Sequence, residues 1–241
     1  MQHHFSRENY ANLWPVPEGV KRIDFPLDGA VEIGFPNEDA MGRFVEASPI
    51  LFGDEINVFG WDAAFFLPKG SRTYVDQQAS GTPNGPDKLH RLHVYMHGSL
   101  DEDFRAWARD FAATLAADPA VLKLRLHLPE PFDNANPQPP SPVDHHVPDN
   151  MLKLAIMEIG FESALSSRTF TESAAFKATQ AAQATHVKAM SAYLVTGVYT
   201  IVRDSQPTIA GLRGSRVAEI IESVGATNHM APEVTRLFVR G

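Results

Sequence analysis

Two stretches of this chain alternate strictly between apolar and polar residues. In residues 89–97, Leu92, Val94 and Met96 alternate with Arg91, His93, Tyr95 and His97. In residues 121–128, Leu122, Leu124, Leu126 and Leu128 alternate with Lys123, Arg125 and His127. A period of two predicts strands with unlike faces. Between them the spacing becomes helical: Phe104, Trp107, Ala108, Phe111 and Leu115 fall on one side of a helix that stops before Pro119. Ser99, with Glu102 three residues on, has the form of a capping box opening that helix. Residues 152–161 read as a third strand, about 171–187 as a helix, and about 190–203 as a last strand. The order is β-α-β-β-α-β. Such an order puts both helices on one face of the sheet, and that face must be apolar. The leucine set belongs under the helices with Met157, Ile159 and Phe161, which turns Glu158 toward the Arg/His/Tyr side.

The front of the chain echoes this unit. Val31-Glu32-Ile33-Gly34-Phe35 repeats as Met157-Glu158-Ile159-Gly160-Phe161, 126 residues later, and Phe44 and Phe170 each follow nine residues after the motif's Phe. His4 aligns with His127, and residues 66–76 with 194–204. Internal repeats decide architecture before local pattern does. We expect two copies of one unit: residues 1–76 an incomplete first copy, 77–87 a linker, 88–204 a complete second copy, and 205–241 an extension. In the first copy, 28–35 reads as a strand, 38–47 as a helix striped by Met41, Phe44 and Val45, and 64–75 as a strand broken at Pro68-Lys69-Gly70. It has no counterpart of residues 89–119. The extension carries a predicted helix at 215–224 and a segment, 234–239, able to fill that gap as a strand; an edge from another protomer and chain upstream of Met1 are the alternatives. The Pro-rich stretch 129–150 is too long for a plain connection.

Composition narrows the function classes. A net charge of −8 leaves no basic face for nucleic acid. No apolar run approaches the roughly 20 residues that cross a bilayer, and MQHHFSRENY lacks the basic-then-apolar order of a signal peptide. Without cysteine there are no disulfides, thiolate nucleophiles or Cys-zinc sites. A cytoplasmic protein is the default expectation. Phosphate loops, a serine nucleophile elbow and a dinucleotide fingerprint in βαβ context are missing from the sequence.

DGAVEIGF followed by FGDEINVFG, and then LHRLHVYMHGSLDEDFRAWARDFAATLAADPAVLKLRLHLPEP, resemble EthD-like proteins of the dimeric α+β barrel superfamily. The resemblance covers residues 1–76 and 88–204. It implies an α+β fold in which tandem ferredoxin-like units form a barrel within or between chains, a homodimer being the expected assembly. It also implies that the polar strand faces line an interior that holds the ligand. Dehydratases, cyclases, isomerases and catabolic accessory proteins belong to that family, and other branches of the superfamily bind haem.

The polar faces assemble a candidate constellation of His93, Tyr95, His97, Arg125, His127 and Glu158. A carboxylate beside imidazoles in a partly dry site suits acid–base chemistry, and an arginine can hold a carboxylate or an enolate. We expect His127 as base, Glu158 orienting it or acting as acid, and His93 and Tyr95 as partner acid and donor. Arg125, His97, Arg91, Glu32 and His4 would bind substrate. A solvated polar face is the bland alternative. Three imidazoles from His93, His97 and His127 do not make a metal site, since a strand separates i and i+4 by about 13 Å; no metal and no cofactor are expected. His145 and His146 read as surface residues of the Pro-rich loop. The function expected is a cofactor-independent lyase or isomerase acting on an aromatic or cyclic apolar small molecule; a non-catalytic binding protein using the same interior is the alternative.

Overall fold

The computed structural model describes residues 1–7, 13–78, 83–137 and 142–237. In chain order its first elements are β1 (Gln2–Phe5), β2 (Lys21–Arg22), β3 (Gly29–Val31), α1 (Glu38–Ala47), α2 (Pro49–Val58) and β4 (Ser71–Asp76). Then come β5 (Asn84–Gly98), α3 (Glu102–Ala116), β6 (Lys123–His127) and β7 (Leu154–Phe161). Next are α4 (Ala164–Glu172), α5 (Ala174–Ala178), α6 (Gln180–His186) and β8 (Val187–Tyr199). A short hairpin, β9 (Val202–Arg203) with β10 (Gln206–Pro207), leads to α7 (Ile209–Arg213), α8 (Ser215–Ser223) and α9 (Pro232–Thr235).

Residues 84–199 supply four adjacent antiparallel strands in the order β8-β5-β7-β6. The front of the chain builds no separate sheet. β1 adds to the outer side of β8 and β3 to β1, while β4 adds to β6 at the opposite edge. β2 joins β8 in parallel. One mixed α+β layer structure results, dominated by a large antiparallel sheet.

The alternation assigned the faces as the structure has them. Leu92, Val94, Met96, Leu124, Leu126, Met157, Ile159 and Phe161 lie in one buried cluster with Phe104, Phe111, Leu115, Phe170 and Phe176 of the helices. Removing that apolar surface from water, at about 25 cal/mol per Å², is the main force holding the helices on the sheet. The second face is covered by irregular chain. Phe5, Ile23 and Leu27 from the front, and Phe132, Val147 and Met151 around the Pro-rich stretch, close over Tyr95, Leu154, Tyr193 and Val195. His145 is therefore buried, bonded through Nδ1 to Asp62, and only His146 is exposed.

Local boundaries differ from the periodicity in instructive ways. Asp101, not Ser99, caps α3, accepting a hydrogen bond from the Phe104 N–H, and Glu102 and Asp103 complement the first turn's positive dipole end. The expected helix over 171–187 begins earlier and is broken twice. Ser163 caps α4, and Ser173 ends it and caps α5 by accepting from the Phe176 N–H. Serine oxygens compete for backbone donors, which makes them helix borders. The last four residues of the expected linker, 84–87, belong to β5, which starts at Asn84. The strand expected over 28–35 shrinks to β3, and that over 64–75 to β4 beyond the Pro68–Gly70 turn. Pro232–Thr235 is helical, so the 234–239 segment does not start as a strand; residues 238–241 lie outside the described chain.

Candidate functional site

Strand register decides which polar side chains meet. Directly opposed residues of antiparallel strands project from the same face. One row across five strands reads Thr73, Arg125, Glu158, His93 and Tyr193. The next row reads Ser71, His127, Ile156, Tyr95 and Ser191. β1, paired to the outer side of β8, brings His3 and Phe5 across that strand onto His93, with ring centroids 4.7 and 5.1 Å away. Phe5 stacks on Tyr193, and Tyr193 meets Tyr95 edge-on. Polar and aromatic side chains thus share one dry face.

Charged groups chain across the first row. Arg91 places Nη1 2.7 Å from Glu158 Oε1, Nη2 2.8 Å from Gln78 Oε1 and Nε 2.6 Å from Asp87 Oδ2. Arg125 forks onto Glu32 at 2.8 and 2.6 Å and keeps a longer 3.5 Å contact to Glu158 Oε2. Burial opposes the charge on Glu158, yet Arg91, His3, Lys123 and Arg125 hold its carboxyl below the usual range. Glu32 is likewise held low: burial works against its charge, but the Arg125 hydrogen bonds and charge outweigh it. Its partner Arg125 is pushed up, with burial opposed and outweighed by Glu32 and Glu158.

The imidazoles go the other way. Burial pulls His3 down to about 4, with Glu158 opposing and Arg91 reinforcing. Burial and the neighbouring His3, His127, Arg91 and Arg125 take His93 well below its ordinary value. Burial also lowers His127, against the pull of Glu32. All three rings are neutral near pH 7. Burial raises Tyr95, so it remains a phenol and a donor.

Of the residues expected at the site, Arg91, Glu158, Arg125 and Glu32 are connected in one network, and His93 stands opposite Glu158 in the same row without a hydrogen bond to it. Tyr95 and His127 stand in the adjoining row. His127 Nδ1 lies 2.7 Å from Ser71 Oγ, and among the described residues no hydrogen bond joins His127 to Glu158. His97 lies apart at the end of β5, donating through Nδ1 to the Lys153 carbonyl. His4 is turned out to solvent against Tyr199. His3, which the repeat alignment passed over, takes the inward place. The pattern of β1, with His3 and Phe5 buried and His4 exposed, is ordinary alternation. The alignment of His4 with His127 pointed one residue off, and one residue is enough to reverse a strand's face.

A groove of about 450 Å³ lies elsewhere, beside α3, lined by Lys69, Arg72, Arg105, Arg109 and Glu130 among others. Arg105 is already bonded there to the carbonyls of Leu100, Leu128 and Pro129, and no buried polar atom of this lining lacks a partner among the described residues. The chemistry concentrates on the opposite face, around Glu158. That face is the candidate site.

No family model matches the sequence, and no curated protein matches it significantly. One solved structure is similar in shape: a Fusobacterium nucleatum protein described as a "putative monooxygenase", 10 % identical, covering 69 % of this chain and 71 % of its own, with a TM-score of 0.41. A likeness at that level supports no inference about function. No described helix is long and apolar enough to cross a membrane.

Proposed function

We propose that this chain is an EthD-like enzyme that moves a proton on a small aromatic or cyclic apolar molecule, in lyase or isomerase chemistry, with His127 as the base. The observation that carries the reading is the state of His127. Its ring is buried and neutral, Nδ1 is fixed by Ser71, and Nε2 has no hydrogen bond among the described residues. In the tautomer whose Nδ1–H donates to Ser71 Oγ, Nε2 is an unprotonated base. Abstraction of a proton next to a carbonyl would leave an enolate oxygen. The Arg125 guanidinium and the Tyr95 hydroxyl, both on this face, offer positive charge and a proton donor to that oxygen. Phe5, Phe132 and Tyr193, with Phe25, Trp61 and Phe65 packed against them, provide apolar surroundings suited to an aromatic ring.

The tandem-unit reading belongs to the same proposal. β1 is the counterpart of β6, with His3 opposite Ala30 as His127 is opposite Ile156, and aligning 66–76 with 194–204 makes β4 the counterpart of the end of β8. β8 pairs with β1 while β4 pairs with β6. The last strand of each copy therefore joins the same strand of the other, as two units sharing a barrel would require. A homodimer is the proposed assembly.

The test is hydrogen exchange in D₂O. A panel of enolisable aromatic and cyclic ketones is incubated with the protein, and deuterium incorporation is followed by NMR. We expect at least one member to exchange, and His127→Gln to slow it by about 100-fold or more, the usual contribution of a general base. Exchange at the parent rate in His127→Gln overturns the assignment. Ketones that bind without exchanging favour a binding protein.

A further inference from the structure

Four buried polar atoms meet on the candidate face without a hydrogen-bond partner: His3 Nδ1, both ring nitrogens of His93, and Glu158 Oε2. Their residues are 2, 5 and 1 % exposed. An unpaired buried polar group costs about 1–3 kcal/mol, and native proteins rarely leave several together. One ligand atom from each of the three residues lies within 4.8 Å of the others. We propose that His3, His93 and Glu158 form a binding site for a divalent first-row transition-metal ion, a function separate from the proton chemistry assigned to His127.

The donor set is two imidazoles and one carboxylate, which suits Fe²⁺, Mn²⁺, Co²⁺ or Zn²⁺ and leaves coordination positions open. Both imidazoles are neutral, so no proton has to leave before a metal binds. Bonds of about 2.0–2.2 Å draw ligand atoms to roughly 3.0–3.5 Å of one another. The three side chains have to close by up to about 1.5 Å from the arrangement seen, a movement within the reach of side-chain rotation. Arg91 holds Oε1, the way outer partners orient a metal ligand, while Oε2 makes no hydrogen bond and keeps only the 3.5 Å contact to Arg125 among the described residues. Charge permits the ion: among these side chains the carboxylates of Glu158, Glu32, Asp87 and Asp76 outnumber the cations of Arg91, Arg125 and Lys123 by one.

Sequence alone could not reach this site. His3 and His93 are 90 positions apart, on strands that do not pair. Only the pairing of β1 and β5 on the two sides of β8 brings them together. The spacing argument that excludes His93, His97 and His127 still holds for those three.

The test uses tag-free full-length protein, stripped with chelator and dialysed, then titrated with Co²⁺. Cobalt bound by nitrogen and oxygen ligands shows visible d–d absorption, and thermal melting reports binding separately. We expect one equivalent to bind with a spectrum and a raised melting temperature. His93→Ala and the near-isosteric Glu158→Gln should each weaken binding by more than about tenfold, at least the loss seen when only outer partners of a metal are removed. His97→Ala, outside the cluster, should bind as the parent does. Glu158→Gln keeps the site's shape, so it decides the matter if His93→Ala fails to fold. Failure of the parent protein to bind one equivalent of Co²⁺ at 100-µM metal, or unchanged binding in Glu158→Gln, overturns the proposal. Zn²⁺ and Fe²⁺ titrations then rank the ions. Neither outcome depends on ketone exchange, so this site and the role of His127 stand or fall separately.

Discussion

Glu158 is 1 % exposed and touches two guanidinium groups. A charge so placed is tolerated because each neighbour is itself answered: Arg91 by Asp87 and Gln78, Arg125 by Glu32. Removing one member leaves the others buried and unbalanced. Glu158→Ala is expected to lower unfolding free energy by about 3–5 kcal/mol, and Glu158→Gln by clearly less, since the amide still accepts a hydrogen bond from Arg91. Urea midpoints of the metal-free protein measure both. A loss under 1 kcal/mol in Glu158→Ala would mean that the network relaxes into water. At this scale the sequence was informative wherever alternation was clean. Arg91, His93, Arg125 and Glu158 share a face because every second residue must. His3 was not legible, because nothing local tells that β1 pairs with β8, one strand from β5, and β1 shifts register against β8 at His4/Phe5.

Among the elements, the helices divide into those that pack and those that do not. α3 buries Phe104, Ala108, Phe111, Ala112 and Leu115. α1 buries none of its residues, leaving Met41, Phe44 and Val45 37, 39 and 55 % exposed, while Ile56 and Val58 of α2 are exposed as well. A striped helix with its stripe in water is the signature of a surface meant to be covered. The periodicity of 38–47 was legible in the sequence; what covers it was not, because amphipathicity specifies a contact and not its partner. Under the proposed homodimer, β3, α1 and α2 meet a second copy. Light scattering coupled to gel filtration should show a dimer, and Val45→Asp with Phe44→Asp should give a folded monomer, since neither side chain supports the core of its own chain. A monomeric parent would remove the dimer. The break between α4 and α5 was readable in hindsight at Ser173, whose hydroxyl caps α5; the break at Thr179 was not, since that hydroxyl bonds back to the Phe176 carbonyl and caps nothing.

Across the whole molecule, the dry polar face makes stability depend on pH. His3 has its pKa held down to about 4 by burial, against 6.5 in an unfolded chain. Between those values the unfolded state binds a proton that the folded state refuses, so stability is complete above about pH 6.5 and falls as the pH drops toward 4. For His3 alone the full loss is about 3 kcal/mol, since one pKa unit is about 1.4 kcal/mol. Burial depresses His93 as well, and it acts in the same direction. The depressed carboxyls of Glu158 and Glu32 continue the loss below about pH 4.5, where their unfolded forms take up protons first. Part of this is large against the 5–15 kcal/mol of a whole domain. With chelator present throughout, the urea midpoint is expected to be flat from pH 8 to 7 and to decline steadily from 6.5 to 5. His3→Gln, which has no proton to take up, should flatten that decline in part, leaving the share due to His93. A midpoint that stays constant down to pH 5 would mean that water reaches both imidazoles, and the neutral, ligand-competent state of His3 and His93 would go with it.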